Sequence, residues 1–484
     1  MQECDVIVIG SGIGGLVSAA LLSARGLKTV VIEQHYFPGG YLASFGREGF
    51  IFDAAVDCIA GVGSGGLISR TLELLGVRDE VQFCRVDPIR LSIFPAHHVH
   101  IDADVMAYVE RLSILFPSES ASIREFFVKS AETFKGLLKV TESVINGGFM
   151  MYDAASKIQN LTSTSYGRLL HEYFTDSRLK AILSDRCPFL GLPPSKVSAF
   201  AMLNLIMSYF VLGAYRPIGG FQRLADVLAG GIVKQGGRVV LRKRVERILL
   251  NHKSQCSAVR CSDGEEYATR YIVSNADYAQ TFAQLIGGAF SKLAESMVHD
   301  PGVSSSFFIV YAGFKGGIQS HSSIGYFPSY DMDGFFAPGR AFSEDSTVGI
   351  TIASVEDRSR APDGHHTVVL HEMVEAIGQG LDKRLCAEKV INKAGKVIPG
   401  LEKGIVMFDA ATSRTLERYT GNHRGAAFGW RWVPNFKGPH YHGIKNLFIA
   451  GHWGNMGSGV LSSAYSGAKA AGAILAREGI LNVI

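Results

Sequence analysis

The chain has 484 residues, 47% hydrophobic and only 19% charged, so two or three packed domains are expected and long disordered stretches are not. A formal net charge of +4 is too small to suggest a nucleic-acid partner. Seven scattered cysteines without a CxxC pair argue against a disulfide scaffold or a zinc site, and suit a reducing compartment.

In chain order, an apolar run Cys4–Ile9 predicts a strand that begins almost at Met1, which leaves no room for a leader and suggests a cytoplasmic protein. The run breaks into Gly10-x-Gly12-x-x-Gly15, with Ile13 and Gly14 inside the turn. A helix over Leu16–Arg25, Gly26 at its C-cap, a strand over Leu27–Ile32 and the acid Glu33, followed by Gln34, come next. Strand, glycine turn, helix, strand and acid is the order that holds a dinucleotide. Gly10 permits the tight turn, Gly12 lets backbone approach a pyrophosphate, and Gly15 lets helix pack on strand. The helix N-terminus faces the phosphates, and Glu33, 21 residues after Gly12, is placed to accept from a ribose hydroxyl.

A second pattern, Gly61-x-Gly63-x-x-Gly66, lacks a clean strand before it and a strand-plus-acid after it, so it reads as a flexible loop. One dinucleotide site is thereby expected, and a bound FAD accounts for it more simply than a flavin plus a separate NAD(P) domain. His97, His98 and His100 alternate with other residues ahead of IDAD and read as the face of a strand, since no cysteine or carboxylate follows at ligand spacing. From Gln82 to Met207 the pattern turns to long amphipathic helices, AYVERLSILF and SIREFFVKSAETFKGLLKVTESV among them. Val197–Tyr215 carries no charge over 19 residues. Its Ser, Asn and late Gly favour a buried helix lining an apolar cavity, or one dipping into a single leaflet, over a membrane span.

Arg216-Pro-Ile-Gly219-Gly220 opens a predicted helix, Leu224–Gln235. Strands Arg238–Leu241 and Val245–Leu250, the turn Asp263-Gly264 and the strand-like Tyr271–Asn275 return the chain to the nucleotide domain. The basic run Arg238, Arg242, Lys243, Arg244 and Arg247 reads as the solvated edge of a strand pair. Residues 278–429, with SSSFFIVYAGF and TVVLHEMVEA, read as a mixed α+β substrate-binding domain. Phe428, Trp430 and Trp432 either line a tunnel or form core under a loop. A last strand, Asn446–Ala450, leads through four glycines in residues 451–459 into a helix from Val460 to about Ala476, aiming a second helix N-terminus at the cofactor.

Glu33 with Pro38-Gly39-Gly40, Ser44-Phe45 and Gly49-Phe50-x-Phe52-Asp53 resembles the strand end, flavin loop and aromatic-flanked aspartate of one family. Arg216-Pro-Ile-Gly219-Gly220, Val273-x-Asn275-Ala276-Asp277 and the closing glycine loop resemble its other motifs. The sequence is similar to the phytoene desaturase, carotenoid isomerase and retinol saturase group within the amine-oxidase-like flavoproteins. The resemblance is chain-long in layout and specific in the cofactor domain. It implies an α/β fold: a discontinuous Rossmann-type FAD domain (1–75, 215–277 and 430–484), a helical, membrane-proximal cap (76–214) and the substrate domain (278–429).

The resemblance also implies site residues. Gly10, Gly12, Ile13, Gly14, Gly15, Glu33 and Gln34 would hold the ADP half of FAD, and Val245 would give adenine backbone contacts. Gly39, Gly40 and Tyr41 would lie against the ring system, with Asn275 on the returning strand. Gly451, Met456, Gly457 and Val460 would sit by the pyrophosphate, ribityl chain and isoalloxazine. Many relatives carry an acid after Gly451; here it is His452, so His452 and Trp453 become candidates for the catalytic, substrate-facing side. The expected activity is FAD-dependent desaturation or saturation of a long apolar polyene or isoprenoid-like substrate by hydride transfer at flavin N5, with membrane contact peripheral. A mean hydropathy of +0.16 and the lack of a triad, paired carboxylates or a metal box fit that reading. Redox-neutral double-bond isomerisation is one alternative, and a non-enzymatic prenyl-lipid-binding escort protein is another. Nothing marks an amine-binding cage.

Overall fold

The computed structural model describes residues 2–147, 159–318, 321–375, 381–436, 438–439 and 443–484, with backbone only at 300 and 301. Two seven-stranded sheets organise the described residues. In the first, five strands run parallel in the order Leu447–Ile449, Glu266–Ser274, Gln2–Ile9, Thr29–Ile32, Arg238–Val240. The long strand Glu266–Ser274 carries two neighbours end to end on one edge. Its start pairs antiparallel with Cys256–Cys261, which pairs in turn with Val245–Leu250, and its last three residues pair with Leu447–Ile449. The two ends of the chain and its middle therefore build one sheet.

Gln2–Ile9 ends in a continuous apolar run because the sheet is covered on both faces. Val6 and Val8 enter a core with the helices Ile13–Ser23, Phe221–Lys234 and Val460–Arg477, while Ile7 and Ile9 join Tyr278 and Trp430 on the other side. All eleven residues of Ile13–Ser23 are buried. That depth requires close approach: a Cβ on Gly467 of the C-terminal helix would collide with the Gly14 carbonyl, and one on Gly15 with the Gly10 carbonyl. The second pattern, Gly61–Gly66, is no flexible loop. It is a tight turn opening helix Leu67–Leu74, in which a Cβ at Gly66 would meet Gly61 backbone.

The second sheet runs Ile405–Ala411, Ser306–Lys315, His365–Val374, Val348–Thr351, Ser323–Tyr326, Arg90–Phe94, His97–Ile101. Phe308, Val310 and Ala312 alternate into a core under helix Lys383–Gly395, while Phe307 and Ile309 face the opposite side. Here the structure corrects the assignment of 76–214 to a helical cap, because Arg90–Phe94 and His97–Ile101 edge this sheet. The long helices of that stretch, Val105–Leu115 and Ser120–Ile145, do form, while residues 148–158 lie outside the described part. His97 shares a hydrogen bond with the Tyr330 hydroxyl, and His100 lies 4.6 Å from the His321 ring.

The uncharged stretch becomes helix Ala199–Leu212, whose 14 residues span about 21 Å, short of the roughly 30 Å hydrocarbon core of a bilayer. Among the described residues no helix is long and apolar enough to cross a membrane. Two glycine substitutions separate packing from propensity. Gly467→Ala is expected to destabilise the fold by about 3 kcal/mol or more, because backbone on both helices must shift. Gly230→Ala, on the exposed face of Phe221–Lys234 with nothing within 4 Å, is expected to stabilise by up to about 1 kcal/mol. Urea unfolding of both variants measures the difference.

Candidate functional site

At the carboxyl ends of the parallel strands the fingerprint turn is held by backbone. Gly10 N donates to Ile32 O at 2.9 Å and Gly39 N to Ser11 O at 3.0 Å, so the loop at 39–40 lies against the turn. Glu33 is set in place before any ligand arrives: its Oε2 accepts from Ser11 N at 2.8 Å and Ser11 Oγ at 2.7 Å, its Oε1 from His35 N at 2.9 Å. A Cβ on Gly12 would lie 2.8 Å from Asn275 Nδ2, and one on Gly14 or Gly451 would lie 2.7 or 2.6 Å from Asn275 Oδ1. The Asn275 amide thus fills the seam between the two glycine loops, leaving bare backbone facing outward.

One cavity begins here and runs between the two sheets. At its nucleotide end are Gly10, Gly12, Ile13, Gly14, Glu33 and Gln34 with Val245 and Asn275. Gly39, Gly40 and Tyr41 face Gly451, His452 and Val460 further along. Lys243 and Arg244 of the basic run also reach it, a contact their edge position did not suggest. Gly15, Met456 and Gly457 are not in the wall: Gly15 lies behind the turn, Met456 packs against the first core, and Gly457 faces Ser462.

Trp453 is corrected outright. It is 1% exposed, sits in the core with its ring 4.9 Å from Trp430, and donates Nε1 to Asn422 Oδ1 at 2.8 Å. Trp430 is likewise core, with Nε1 donating to Trp453 O, and Trp432 packs among the helices; of the three aromatics only Phe428 reaches the cavity.

The same cavity includes an apolar chamber walled by Phe189, Leu190, Leu205, Tyr209, Phe307 and Phe428. Leu205 and Tyr209 come from helix Ala199–Leu212, the expected cavity-lining role of that stretch. Asp57, Cys58 and His371 also line it, and none of them stood out in the sequence. The signal available was a histidine inside the apolar run TVVLHEMV. Burial works to raise the Asp57 carboxyl, but the Arg216 guanidinium and the Ser323 hydroxyl hold it down to about 2. Burial pushes the Cys58 thiol up to about 12, helped by Asp57, and the Tyr41 phenol up to about 12.

Residues 13–475, nearly the whole chain, match the flavin containing amine oxidoreductases. The chain belongs to that family. It is similar to prolycopene isomerase 1 of an Oncidium hybrid cultivar, 26% identical over 517 residues covering 99% of this chain and 85% of the relative. It is also similar to the all-trans-retinol 13,14-reductase of Danio rerio, 26% identical with 93% and 82% covered. In fold it matches a crystallised oxidoreductase of Methanosarcina mazei, with a TM-score of 0.67, 18% identity, and 99% and 100% covered.

As a member of the flavin containing amine oxidoreductases the chain is an FAD-dependent enzyme. The bare backbone at Gly12, Gly14, Gly39 and Gly40 and the pre-set Glu33 carboxylate suit such a dinucleotide. Gly12 and Gly14 would hold the pyrophosphate, Glu33 the adenosine ribose, and Tyr41 and Val460 the ring end. Tyr41 is fixed for that place by its hydroxyl, which donates to Ala426 O at 2.9 Å. Removing the ribose acceptor in Glu33→Ala is expected to raise the FAD dissociation constant about 10- to 100-fold, the loss of one to two charge-assisted hydrogen bonds, read by titrating FAD into apoprotein.

Burial pushes the imidazoles of His371 and His452 down to about 4, with Arg90 adding to the effect at His371. In the unfolded chain both take up protons near pH 6.5, which the fold refuses until about pH 4. Folding stability contributed by their neutrality is complete above about pH 6.5 and is lost as pH falls through that window. Thermal melts at pH 7 and pH 5 should show a smaller acid-induced drop in His371→Gln than in the wild type.

Proposed function

We propose that the enzyme transfers hydride between FAD and carbon–carbon bonds of a long apolar polyene or isoprenoid-like substrate, desaturating or saturating it. The observation that supports this reading is the continuity of the cavity: Tyr41 and His452, beside which the flavin ring would lie, line the same cavity as Phe189, Leu205, Phe307 and Phe428. FAD supplies the two-electron acceptor or donor for such a bond. The chain's part is to lay the apolar substrate along that wall, exclude water and receive a proton where one is lost. Neutral His371 and His452 are weak bases, with pKa values near 4, and a carbocation-like centre is acidic enough to lose a proton to such a base.

A second reading, redox-neutral isomerisation of a polyene, is favoured by the similarity to a prolycopene isomerase along 99% of the chain. It needs the same cavity. The escort-protein reading is disfavoured, because the glycine turn, Glu33 and the Gly451 loop are all preserved and assembled at one place.

Purified protein should be yellow, and incubation with a panel of polyenes under oxidising and reducing conditions should yield desaturated, saturated or isomerised products. Oxidation of amines with polyenes untouched would sink the proposal. The single-turnover rate is expected to stay flat between about pH 6 and 10. In that range Asp57 (about 2), His371 and His452 (about 4), and Cys58 and Tyr41 (about 12) each keep one protonation state.

A further inference from the structure

Behind Asp57 of the chamber wall, itself 9% exposed, lies a cluster of buried charges: Arg90, Asp185, Arg186 and Arg216, each 3% exposed. Arg216 and Asp57 satisfy one another, with Ser322, Ser323 and the more exposed Glu356 completing their partners. Three guanidinium groups therefore meet three carboxylates, of which Glu356 is the more exposed and serves Arg216.

Arg90 and Arg186 are left short. Asp185 Oδ2 is 3.7 Å from Arg90 Nε and 3.8 Å from Arg186 Nε, beyond hydrogen-bond reach, and it already accepts from Ser92 Oγ at 2.7 Å. Arg90 Nε and Nη1 and Arg186 Nη1 are buried without any hydrogen-bond partner. The wall residue Phe189 has both guanidinium carbons 5.1 Å from its ring centre, and its ring is 6.1 Å from that of His371.

The sheet is shaped to admit these groups. Gly325 and Gly349 are cross-strand partners; a Cβ on the first would collide with the Arg90 guanidinium and one on the second with the His371 imidazole. An unpartnered buried charged donor is destabilising, and a fold that sought only packing would place apolar side chains there. Burial and Arg186 lower Arg90 to about 10, so it stays charged at neutral pH. The missing partner is an acceptor, and a carboxylate is the acceptor a guanidinium binds most strongly.

We infer that Arg90 and Arg186 receive the carboxylate end of a long apolar substrate, which reaches them past Phe189 while its chain lies in the chamber. This rests on reading the chamber as a site for long apolar compounds, and it adds that the compound is an unsaturated acid. Planar guanidinium groups match a carboxylate in two hydrogen bonds at once, which the distant Asp185 does not provide.

The test is fluorescence titration of the yellow holoenzyme with cis-parinaric acid, its methyl ester and the corresponding tetraene hydrocarbon. The acid is expected to bind at least about tenfold more tightly than the ester. Arg90→Gln and Arg186→Gln should each remove that preference and leave ester and hydrocarbon affinity unchanged, with the bound-flavin spectrum reporting the fold. Equal affinity for acid and ester in the wild type, or a preference that survives both substitutions, overturns the inference while leaving the apolar reading intact. If none of the three compounds binds, the apolar reading fails and this inference with it.

Discussion

The side chain of Asn275 is where the two ends of the chain meet. It projects from the end of the strand Glu266–Ser274 into a seam bounded by Gly12, Gly14 and Gly451, each too close to it to carry a Cβ. The N-terminal turn and the C-terminal loop are some 440 residues apart in sequence, yet both are shaped by this one amide. The contact of Gly14 with Gly467 extends the same closeness to the two helices behind the loops. Fixing two backbone loops against a third element costs conformational entropy that a bound dinucleotide would otherwise have to offset. The fold meets that cost in advance, with buried helices and a sheet apolar on both faces, so the loops are already in the posture a cofactor needs.

The chamber obeys a different constraint. Its ionisable residues are each held in one state by burial or by a partner: Asp57 charged against Arg216, Cys58 protonated beside it, His371 and His452 neutral. An environment without mobile protons or loosely held charges suits chemistry in which the electron pair leaves with hydrogen, and it protects a reactive carbon centre from water. Neutral imidazoles keep that interior uncharged until reaction, when either could take up the proton lost from the substrate.

The nucleotide half was legible because its physics is local. Gly10, Gly12, Gly15 and Glu33 lie within 24 residues, and turn, helix and acid each leave a mark at fixed spacing. Gln2–Ile9 and Thr29–Ile32 came close to their observed ends, since continuous apolar runs mark a parallel sheet covered on both faces. The chamber was not legible. Asp57, Phe189, Leu205, Phe307 and His371 come from five separate stretches and meet only through the second sheet, whose edge strands Arg90–Phe94 and His97–Ile101 were hidden in a segment dominated by helices. Trp453 shows the converse error: it follows a glycine loop at the cofactor, but its indole turns away into the core, and spacing alone does not give that direction.

The cavity is polar at its nucleotide end and quiet beyond it. Glu33 presents acceptors, already oriented, at the nucleotide end, and Arg90 and Arg186 hold unpaired donors behind the far wall. An apolar chain alone would slide along the aromatic wall, because dispersion and burial are nearly indifferent to register. A fixed polar contact at the far end would remove that freedom. The length between the anchored end and the cofactor would then decide which bond lies at the flavin. Directional interactions set register and apolar contact sets affinity, a division of labour that explains why a wall otherwise apolar tolerates charges behind it.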